Sequence, residues 1–322
     1  MIPAMSAFEK PHRDEPVERA VRRILAQLPG LPAGRPVVTA LQGGITNRNY
    51  RVEVGGQTLV LRIGSEHANL LGIDRRREHA ASLAAAQVGV GAEVVGFVEE
   101  EGALVTRFIA GAAISPDAAR EPGMLRRIVE SLRSCHEGPA IPGVFSPFET
   151  VRSYSRLTVQ HGGWFPPQAE EALRRLEEIE AALGKPPRLV PCHNDLLASN
   201  FIDDGSRVRI LDWEYAAMGD PFFDLGNLAA NQELPGDQCE ALLADYRGAC
   251  RPEDLARLHL QRLASDMREA YWGFLQMGIS TLEFDYREYA VKHLERFLSR
   301  AREPQFADWL AGAAGSRREE ET

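Results

Sequence analysis

Three oxygen-bearing side chains follow one another along one segment of this chain. Asp195 and Asn200 are five positions apart, and Asp212 comes after an apolar run. Mg²⁺ accepts carboxylate and amide oxygens as ligands, and a further carboxylate beside the metal can accept a proton from a hydroxyl. The same residue types are also frequent in simple turns. A turn requires neither the Asp-x-x-x-x-Asn spacing nor a second acid after a strand, so we favour a site that binds a metal and moves a proton.

The local sequence explains how these side chains meet. The apolar runs at 201–202 and 208–211 are separated by Asp203-Asp204-Gly205-Ser206, which has the composition of a turn. We predict a hairpin that folds Asp212 back beside the first two side chains. Protein kinases carry a catalytic Asp, an Asn five residues later and a metal-binding Asp on a later strand in this order.

A glycine-rich turn lies near the beginning of the chain. The sequence predicts strands over Val37 to Leu41 and Tyr50 to Val54. A strand, a glycine-rich turn and a second strand form the layout of a loop that covers phosphates with its N–H groups. An ordinary hairpin turn fits the same pattern. The candidate phosphate-binding residues in this turn are Gly43, Gly44, Thr46 and Asn47.

Two charged residues follow that resemble the phosphate-positioning ion pair of kinases. Arg62 lies between apolar residues in a predicted strand, Thr58 to Ile63, so its side chain points away from the core face. Glu78 lies early in a predicted helix, Asp74 to Val88, where an ordinary solvated charge is the alternative. A further predicted strand pair ends in a connector, in which the backbone of Arg107 to Ile109 is placed to hydrogen-bond an adenine edge.

Composition limits the classes of function. The 322 residues are enough for two lobes, and 37 basic against 46 acidic residues give a net charge of −9, which argues against a nucleic-acid footprint. The four cysteines form no Cys-x-x-Cys pair, which argues against zinc and is typical of reduced thiols. No apolar run approaches about 18 residues. We therefore expect a cytoplasmic protein with no membrane or nucleic-acid partner, and we allow for a homodimer.

The pattern of predicted elements favours an α+β, bilobal, protein-kinase-like fold. About five strands and one main helix make a small antiparallel lobe, and mostly helices follow. We expect a disordered N-terminus at 1–15, a nucleotide-binding lobe at 16–108, a catalytic and substrate-binding lobe at 109–300, and a flexible tail at 301–322. The helices predicted in the larger lobe are Met124 to Glu137, Phe148 to Gln160, Gln168 to Leu183, Pro235 to Cys250, Pro252 to Met277 and Phe284 to Ser299.

Longer stretches resemble the choline/ethanolamine kinase family, among the aminoglycoside-phosphotransferase-like kinases. The most specific are CHNDLLASN and ILDWEYAAMGDPFFDLGN, and the supporting ones are LQGGITNRNYRV, LVLRI and EAYWGFLQMGISTLEFDYREYA. Together they cover about residues 37 to 298. The resemblance implies transfer of the γ-phosphoryl of ATP, with Mg²⁺, to the hydroxyl of a small amine, with choline favoured. Ethanolamine, thiamine, an aminoglycoside or an amino sugar is the alternative acceptor.

The resemblance also implies roles for individual residues. Asp195 would be the catalytic base, Asn200 and Asp212 would hold Mg²⁺, and Glu214 would be a further carboxylate near the metal. Asp224 would accept backbone hydrogen bonds from the catalytic loop. Nucleotide contacts would come from Gly43, Gly44, Thr46, Asn47, Arg62, Glu78, Arg107 and Ile109.

The substrate side has a physical logic, because a quaternary ammonium donates no hydrogen bonds and is held by aromatic faces. Tyr215, Trp272 and Tyr286 match the family's aromatic positions, although plain helix packing is the alternative for Trp272. This chain has Trp272-Gly273-Phe274-Leu275 where the family often has Trp-x-x-Trp. Asn231 stands where the family has an acid, and Glu233 is nearby.

Two other classes compete with a small-molecule kinase. A protein kinase is disfavoured because the short segment between Asp212 and Pro221 leaves no room for a long activation loop. A nucleotide-binding pseudoenzyme is disfavoured because each expected catalytic position carries a competent residue type.

Overall fold

The structure, a computed structural model, describes residues 15–32, 34–41, 47–64, 68–186 and 188–320. The chain divides into two compact units, one of residues up to 66 with 93–109, and one of 67–92 with 110 onward. Residues 67–92, which we expected in the nucleotide-binding lobe, thus group with the second unit. The predicted glycine-rich turn at 42–46, with Gly43, Gly44 and Thr46, lies outside the described residues.

The first unit is built on an antiparallel sheet with the strand order β1-β2-β3-β5-β4. Alternate residues of its strands, among them Val52, Leu59 and Leu61, are buried, as expected for a sheet with one covered face. Val21 and Ile24 of the preceding helix join this core. The elements are α1 (Glu15–Leu25), β1 (Val37–Leu41), β2 (Arg48–Val54), β3 (Gln57–Ile63), β4 (Val94–Val98) and β5 (Ala103–Arg107).

A two-glycine turn sets the register of β2 and β3. Gly55 and Gly56 have φ of 54° and 77°, a combination that residues with a Cβ adopt at a cost and that suits a tight hairpin. In this register Arg62 lies opposite Asn49 on one side and Leu104 on the other. Since the adjacent Leu61 is buried, Arg62 projects from the other face of the sheet.

The second unit is mainly helical, and several of its helices begin with recognisable caps. Asp74 accepts hydrogen bonds from the N–H groups of Arg76 and Arg77, and Asp220 precedes a helix that starts with Pro221. Together with the sheet of the first unit, this helical content confirms the predicted α+β class. The helices are α2 (Arg75–Gln87), α3 (Pro116–Arg120), α4 (Pro122–His136), α5 (Pro147–Gln160), α6 (Ala169–Leu183), α7 (Pro221–Asn231), α8 (Gly236–Arg247), α9 (Pro252–Ile279), α10 (Tyr286–Ala301) and α11 (Gln305–Glu320).

Helix α9 is the centre of the second unit and packs against α5, α7, α10 and α11. It is buried on every side over most of its length, as expected for a helix surrounded by others. Gly226 permits the close approach of α7, because a Cβ at that position would lie 2.5 Å from the backbone nitrogen of Arg262. Helix α9 therefore fixes the positions of its neighbours.

The last helix differs from the flexible tail that we expected at 301–322. Residues 305–320 form α11, and Phe306 and Ala313 are buried in the same core as α9. The ring of Trp309 stacks on His259 of α9, with 4.6 Å between ring centroids. These apolar contacts explain a helix whose end is strongly charged in sequence. None of the helices among the described residues is both long and apolar enough to cross a bilayer.

Candidate active site

Two short antiparallel ladders hold the segment that contains Asp195, Asn200 and Asp212. β7 (Val190–Cys192) pairs with β10 (Ala217–Gly219), and β6 (Ala112–Ala113), β8 (Phe201–Asp203) and β9 (Val208–Ile210) form the second ladder. The predicted hairpin between β8 and β9 is confirmed. Its turn is closed by Asp204, whose carboxylate accepts hydrogen bonds from the N–H groups of Ser206 and Arg207. These hydrogen bonds lower the pKa of Asp204.

Hydrogen bonds link the backbone segments that carry the three predicted site residues, Asp195, Asn200 and Asp212. The amide nitrogen of Asn200 donates to the carbonyl oxygen of Asp195 over 2.9 Å. The N–H of Leu211 donates to the carbonyl oxygen of Asn200 over 2.8 Å, which places the next residue, Asp212, beside that asparagine. The ring of His193 donates in turn to the carbonyl oxygen of Leu211 over 2.8 Å. The structure therefore brings the segment that carries Asp195 and Asn200 next to the residues that follow β9, as the sequence predicts.

Backbone strain marks the same two loops. Asp212 and Asn194 have φ of 67° and 66°, in the left-handed region that favours glycine. Residues with a Cβ are held there only when surrounding contacts fix them, and such positions cluster at functional sites. Each of these residues lies next to a backbone group that is held by a hydrogen bond from another element.

Asp224, in the first turn of α7, supports the loop that precedes Asp195. Its two carboxylate oxygens accept the N–H groups of His193 at 2.8 Å and Asn194 at 2.7 Å, which is the predicted contact. The ring of His136 adds a third hydrogen bond at 2.9 Å. Burial alone would raise the pKa of Asp224, but the hydrogen bond and charge of His136 outweigh it, so the pKa lies below its ordinary value. Asp224 is thus an ionised support at the centre of the loop.

The side chains of His136, Cys192 and Asp224 are close enough to hold a metal ion. Both oxygens of Asp224 are already engaged with protein donors, and burial raises the pKa of the Cys192 thiol, which disfavours the thiolate that binds metals. We therefore assign this buried cluster to support of the loop.

The carboxylate of Asp195 contacts a buried arginine that the sequence did not identify. The Nη1 atom of Arg268 on α9 donates to Oδ1 of Asp195 over 2.9 Å and also to Oε1 of Glu269. The side chain of Arg268 is 2% exposed. The phenol of Tyr289 on α10 donates to the other oxygen of Glu269 over 2.6 Å. A continuous chain of contacts therefore runs from Tyr289 through Glu269 and Arg268 to Asp195.

This chain shifts the protonation of its members in opposite directions. Burial and the charge of Glu269 raise the pKa of Asp195, and Arg268 opposes them without prevailing. Burial would raise the pKa of Glu269 as well, but the charge of Arg268 and the hydrogen bond from Tyr289 bring it below its ordinary value. Of the two acids, Asp195 is thus the better proton acceptor.

Aromatic rings lie at the Tyr289 end of the chain of contacts. The ring of Trp272 meets Tyr286 and Tyr289 with centroid distances of 5.8 and 5.6 Å, and Phe284, which is 43% exposed, packs against both tyrosines. The predicted residues Trp272 and Tyr286 are therefore together, and Phe284 and Tyr289 extend the group.

The third predicted aromatic residue, Tyr215, has a different neighbour. The guanidinium carbon of Arg268 lies 4.4 Å from the centre of its ring. A cation from the protein itself therefore already packs against Tyr215, in an arrangement that stabilises aromatic and guanidinium groups together.

Two of the predicted carboxylates share an arginine. Nη1 of Arg75, at the start of α2, lies 2.6 Å from Glu78 and 3.2 Å from Glu214, and both carboxylates are buried. The sequence pointed to Arg62 as the partner of Glu78. Arg62 belongs to the first unit and Glu78 to the second. The pairing of these two residues stays a prediction.

The remaining nucleotide candidates lie in the first unit. Asn47 directly precedes β2. In the predicted connector, the N–H groups of Arg107 and Phe108 donate to Glu93 and Thr58. A nucleotide contact by this connector must therefore come from other backbone groups of 107–109, Ile109 among them.

The two polar residues near the end of α7 also differ in their surroundings. Glu233 has φ of 50° and lies 3.3 Å from Arg296 and 3.8 Å from Lys292 in surface ion pairs. Asn231 is the last residue of α7 and is partly buried. Glu233 is therefore engaged by the protein's own cations.

The donor set of the loop fits Mg²⁺. Because the nitrogen of the Asn200 amide donates to Asp195, the carbonyl oxygen of that amide points the other way. With the carboxylate of Asp212 it offers hard oxygen ligands, which Mg²⁺ combines with water and phosphate oxygens. Asn200 and Asp212 are therefore the residues that would hold the ion.

The chain is similar to known proteins in both sequence and fold. Residues 37–260 match the family described as "Phosphotransferase enzyme family". A crystal structure of a choline/ethanolamine kinase family protein from Mesorhizobium loti is 31% identical, with a TM-score of 0.78 and coverage of 92% of this chain and 98% of that chain. The choline kinase LicA from Streptococcus pneumoniae is 22% identical, with a TM-score of 0.72 and coverage of 88% and 98%, a likeness of fold.

The protein LicA of Haemophilus influenzae is 28% identical over 209 residues. This alignment covers 63% of the present chain and 61% of that protein. The present chain thus spans less than two thirds of the length of that relative.

Proposed function

We propose that this chain, which belongs to the choline/ethanolamine kinase family within the phosphotransferase enzymes, transfers the γ-phosphoryl group of ATP to the hydroxyl of choline. The observation that supports this most is the chain of contacts from Asp195 through Arg268 and Glu269 to Tyr289. It links a partly buried proton acceptor to a group of aromatic rings. An amino alcohol carries a hydroxyl and a cationic nitrogen a short distance apart, which suits these two ends.

The charges of the site favour a cationic substrate. The partly buried Asp195 and the buried Glu269 bring two carboxylates, and Arg268 balances one of them. The remaining negative charge lies beside the rings of Trp272 and Tyr289, which attract a quaternary ammonium through their faces. Choline, which has no N–H to donate, suits this combination of aromatic faces and diffuse negative charge.

In the proposed reaction Asp195 accepts a hydrogen bond from the substrate hydroxyl and takes its proton as the phosphoryl group is transferred. The raised pKa of Asp195 makes it a stronger base than an exposed aspartate. Asn200, through its amide carbonyl oxygen, and Asp212, through its carboxylate, would hold Mg²⁺, and the ion would neutralise developing phosphate charge. Asp224 accepts hydrogen bonds from the N–H groups of His193 and Asn194. These bonds fix the loop just before Asp195 and so keep the base in place relative to the substrate hydroxyl. Catalysis is then mainly positioning and charge stabilisation.

The test is a coupled assay of ADP release with choline, ethanolamine, thiamine, aminoglycosides and amino sugars. We expect choline to give the highest kcat/KM. Asp195→Ala should lower kcat by about a thousandfold or more, equivalent to about 4 kcal/mol of transition-state stabilisation, while ATP still binds. Asp237→Ala, at an exposed acid on α8, is the matched control and should keep wild-type turnover.

A second pair of variants tests the aromatic end. Trp272→Leu should raise KM for choline at least tenfold with a smaller effect on kcat, because it removes a face that contacts the ammonium in ground and transition states alike. Trp309→Leu, at a tryptophan that stacks on His259 in another part of the unit, should leave KM for choline unchanged. Turnover that is independent of any amino alcohol, or full activity of Asp195→Ala, would contradict the proposal.

A further inference from the structure

Arg268 is a charged residue at a buried position of α9, where a helix normally carries an apolar side chain. It lies on α9 among buried residues, and its side chain is 2% exposed. A buried guanidinium is costly unless it is paired and hydrogen-bonded, so its partners indicate what it does. These partners are the Asp195 carboxylate, the Glu269 carboxylate and the ring of Tyr215.

The contact with Asp195 has the geometry of an orienting bond. Nη1 of Arg268 reaches one oxygen, Oδ1, at 2.9 Å. A carboxylate is planar, so a fixed Oδ1 also sets the direction of Oδ2. Without this bond the Asp195 side chain would rotate about its terminal torsion, which is broad and roughly two-fold. The contact therefore selects one orientation of the carboxylate.

Arg268 is itself held in place from two sides. Glu269 accepts from Nη1, and the Tyr289 phenol holds Glu269 from α10 over 2.6 Å. The face of Tyr215 covers the guanidinium at 4.4 Å. Because these partners come from α10 and from the loop after β9, Arg268 cannot follow Asp195 if that side chain moves. The arginine is a fixed reference for the carboxylate.

We infer that Arg268 is a positioning residue, which aligns the Asp195 carboxylate with the acceptor hydroxyl while Glu269 and Tyr289 hold it in place. The inference rests on the proposed function, because it assigns Asp195 the role of base. A residue that aligns the base affects the chemical step more than the binding of ATP or acceptor. Displacement of a reacting group by about 1 Å typically costs about a hundredfold in rate.

The central experiment is chemical rescue. Arg268→Ala should lower kcat with choline about a hundredfold and change KM for ATP less than threefold. Guanidinium ion at millimolar concentration should restore kcat at least tenfold, because it can occupy the vacated space between Asp195 and Glu269. Arg262→Ala is the matched control, since Arg262 is also buried on α9 but donates to the carbonyl oxygen of Leu234. Guanidinium should leave kcat of this control unchanged.

Two milder variants keep the inference testable if Arg268→Ala does not fold. Arg268→Lys preserves the charge and one donor, and we expect a loss in kcat of about tenfold. Tyr289→Phe keeps the ring beside Trp272 and removes the hydroxyl that holds Glu269, so kcat should fall severalfold with KM for choline unchanged. A purely structural role would instead lower the melting temperature and leave the kcat of the folded fraction intact.

The outcomes separate the two proposals. If wild-type protein phosphorylates choline and folded Arg268→Ala keeps kcat within twofold, or guanidinium fails to restore it, the positioning role is wrong and the proposed function stands. If the wild type phosphorylates no amino alcohol, the proposed function fails. In that case a crystal structure of Arg268→Lys tests the orientation of the Asp195 carboxylate independently of activity. A carboxylate with the wild-type orientation would contradict the positioning role of Arg268.

Discussion

The support that Asp224 gives to the loop before Asp195 leads to a quantitative prediction for Asp224→Asn. The carboxylate is fully buried and accepts three hydrogen bonds, two at one oxygen and one at the other. The variant amide has one acceptor oxygen. We expect the amide nitrogen to take the place of Oδ1, where it faces one donor, the N–H of Asn194. At Oδ2 it would face two donors, the N–H of His193 and the ring of His136. One backbone donor and one new amide donor are then buried without an acceptor.

The expected cost follows from those two donors. Each buried donor without an acceptor costs about 1–3 kcal/mol, so we expect the free energy of unfolding to fall by about 3 kcal/mol. The loop that carries Asp195 begins at these same N–H groups, and a shift of about 1 Å there should lower kcat about a hundredfold. Stability and turnover should therefore fall together.

The assay is urea denaturation followed by far-ultraviolet circular dichroism, with kcat measured on the folded protein. Asp237→Asn, at an exposed acid of α8, is the control and should change the free energy of unfolding by less than about 0.5 kcal/mol. If Asp224→Asn unfolds at the wild-type urea concentration and retains wild-type kcat, the hydrogen bonds do not support the loop and the reasoning is refuted.

Three further predictions concern other parts of the molecule. Gly226→Ala places a Cβ 2.5 Å from the backbone of α9 and should destabilise the protein by more than about 2 kcal/mol in urea denaturation, whereas Gly236→Ala, with no atom within 4 Å, should not. Burial and nearby arginines lower the pKa of His259 to about 4 from 6.5, so the folded state resists its protonation and stability is lost as the pH falls from about 6.5 to about 4. His259→Gln should therefore reduce the loss of unfolding free energy between pH 7 and pH 5 by about 2 kcal/mol. Asp212→Ala should weaken ATP binding at least tenfold with Mg²⁺ and little in EDTA, as measured by calorimetry, and equal effects in both conditions would contradict a metal-binding role.

The hairpin between β8 and β9 was predictable because its signals are local. Asp203-Asp204-Gly205-Ser206 carries turn chemistry within four residues, and apolar runs on each side define the strands. The link between Asp195 and Asn200 is equally local, since five residues separate them. Where the determinants of a contact lie within one short segment, sequence alone was sufficient.

The contact between Arg268 and Asp195 was not predictable in that way. The two residues are 73 positions apart, and nothing in the spacing of α9 tells which helix face meets the loop. The adjacent charges Arg268-Glu269, four and three positions before Trp272, are a signal in retrospect, because charged residues within a buried helix are tolerated only when they are paired. Helix α11 was missed for a related reason. Its stability comes from the contacts of Phe306 and Trp309 with distant elements rather than from its own sequence.

Helix α9 shows why the most informative residues of this site escaped a search for motifs. Its buried charges each pair with residues of another element, as Arg257 does with Asp220 and Asp266 with Arg296. Buried ion pairs contribute little net stability, because desolvation opposes the attraction between the charges. They do impose a unique arrangement, since any other packing leaves a charge without its partner. A helix that carried apolar residues at these positions could pack in several registers, whereas the pairing of Arg268 with Asp195 permits one. We therefore regard the charges of α9 as the determinant that fixes the proposed base relative to the aromatic group of Trp272, Tyr286 and Tyr289, and the motif around Asp195 as dependent on it.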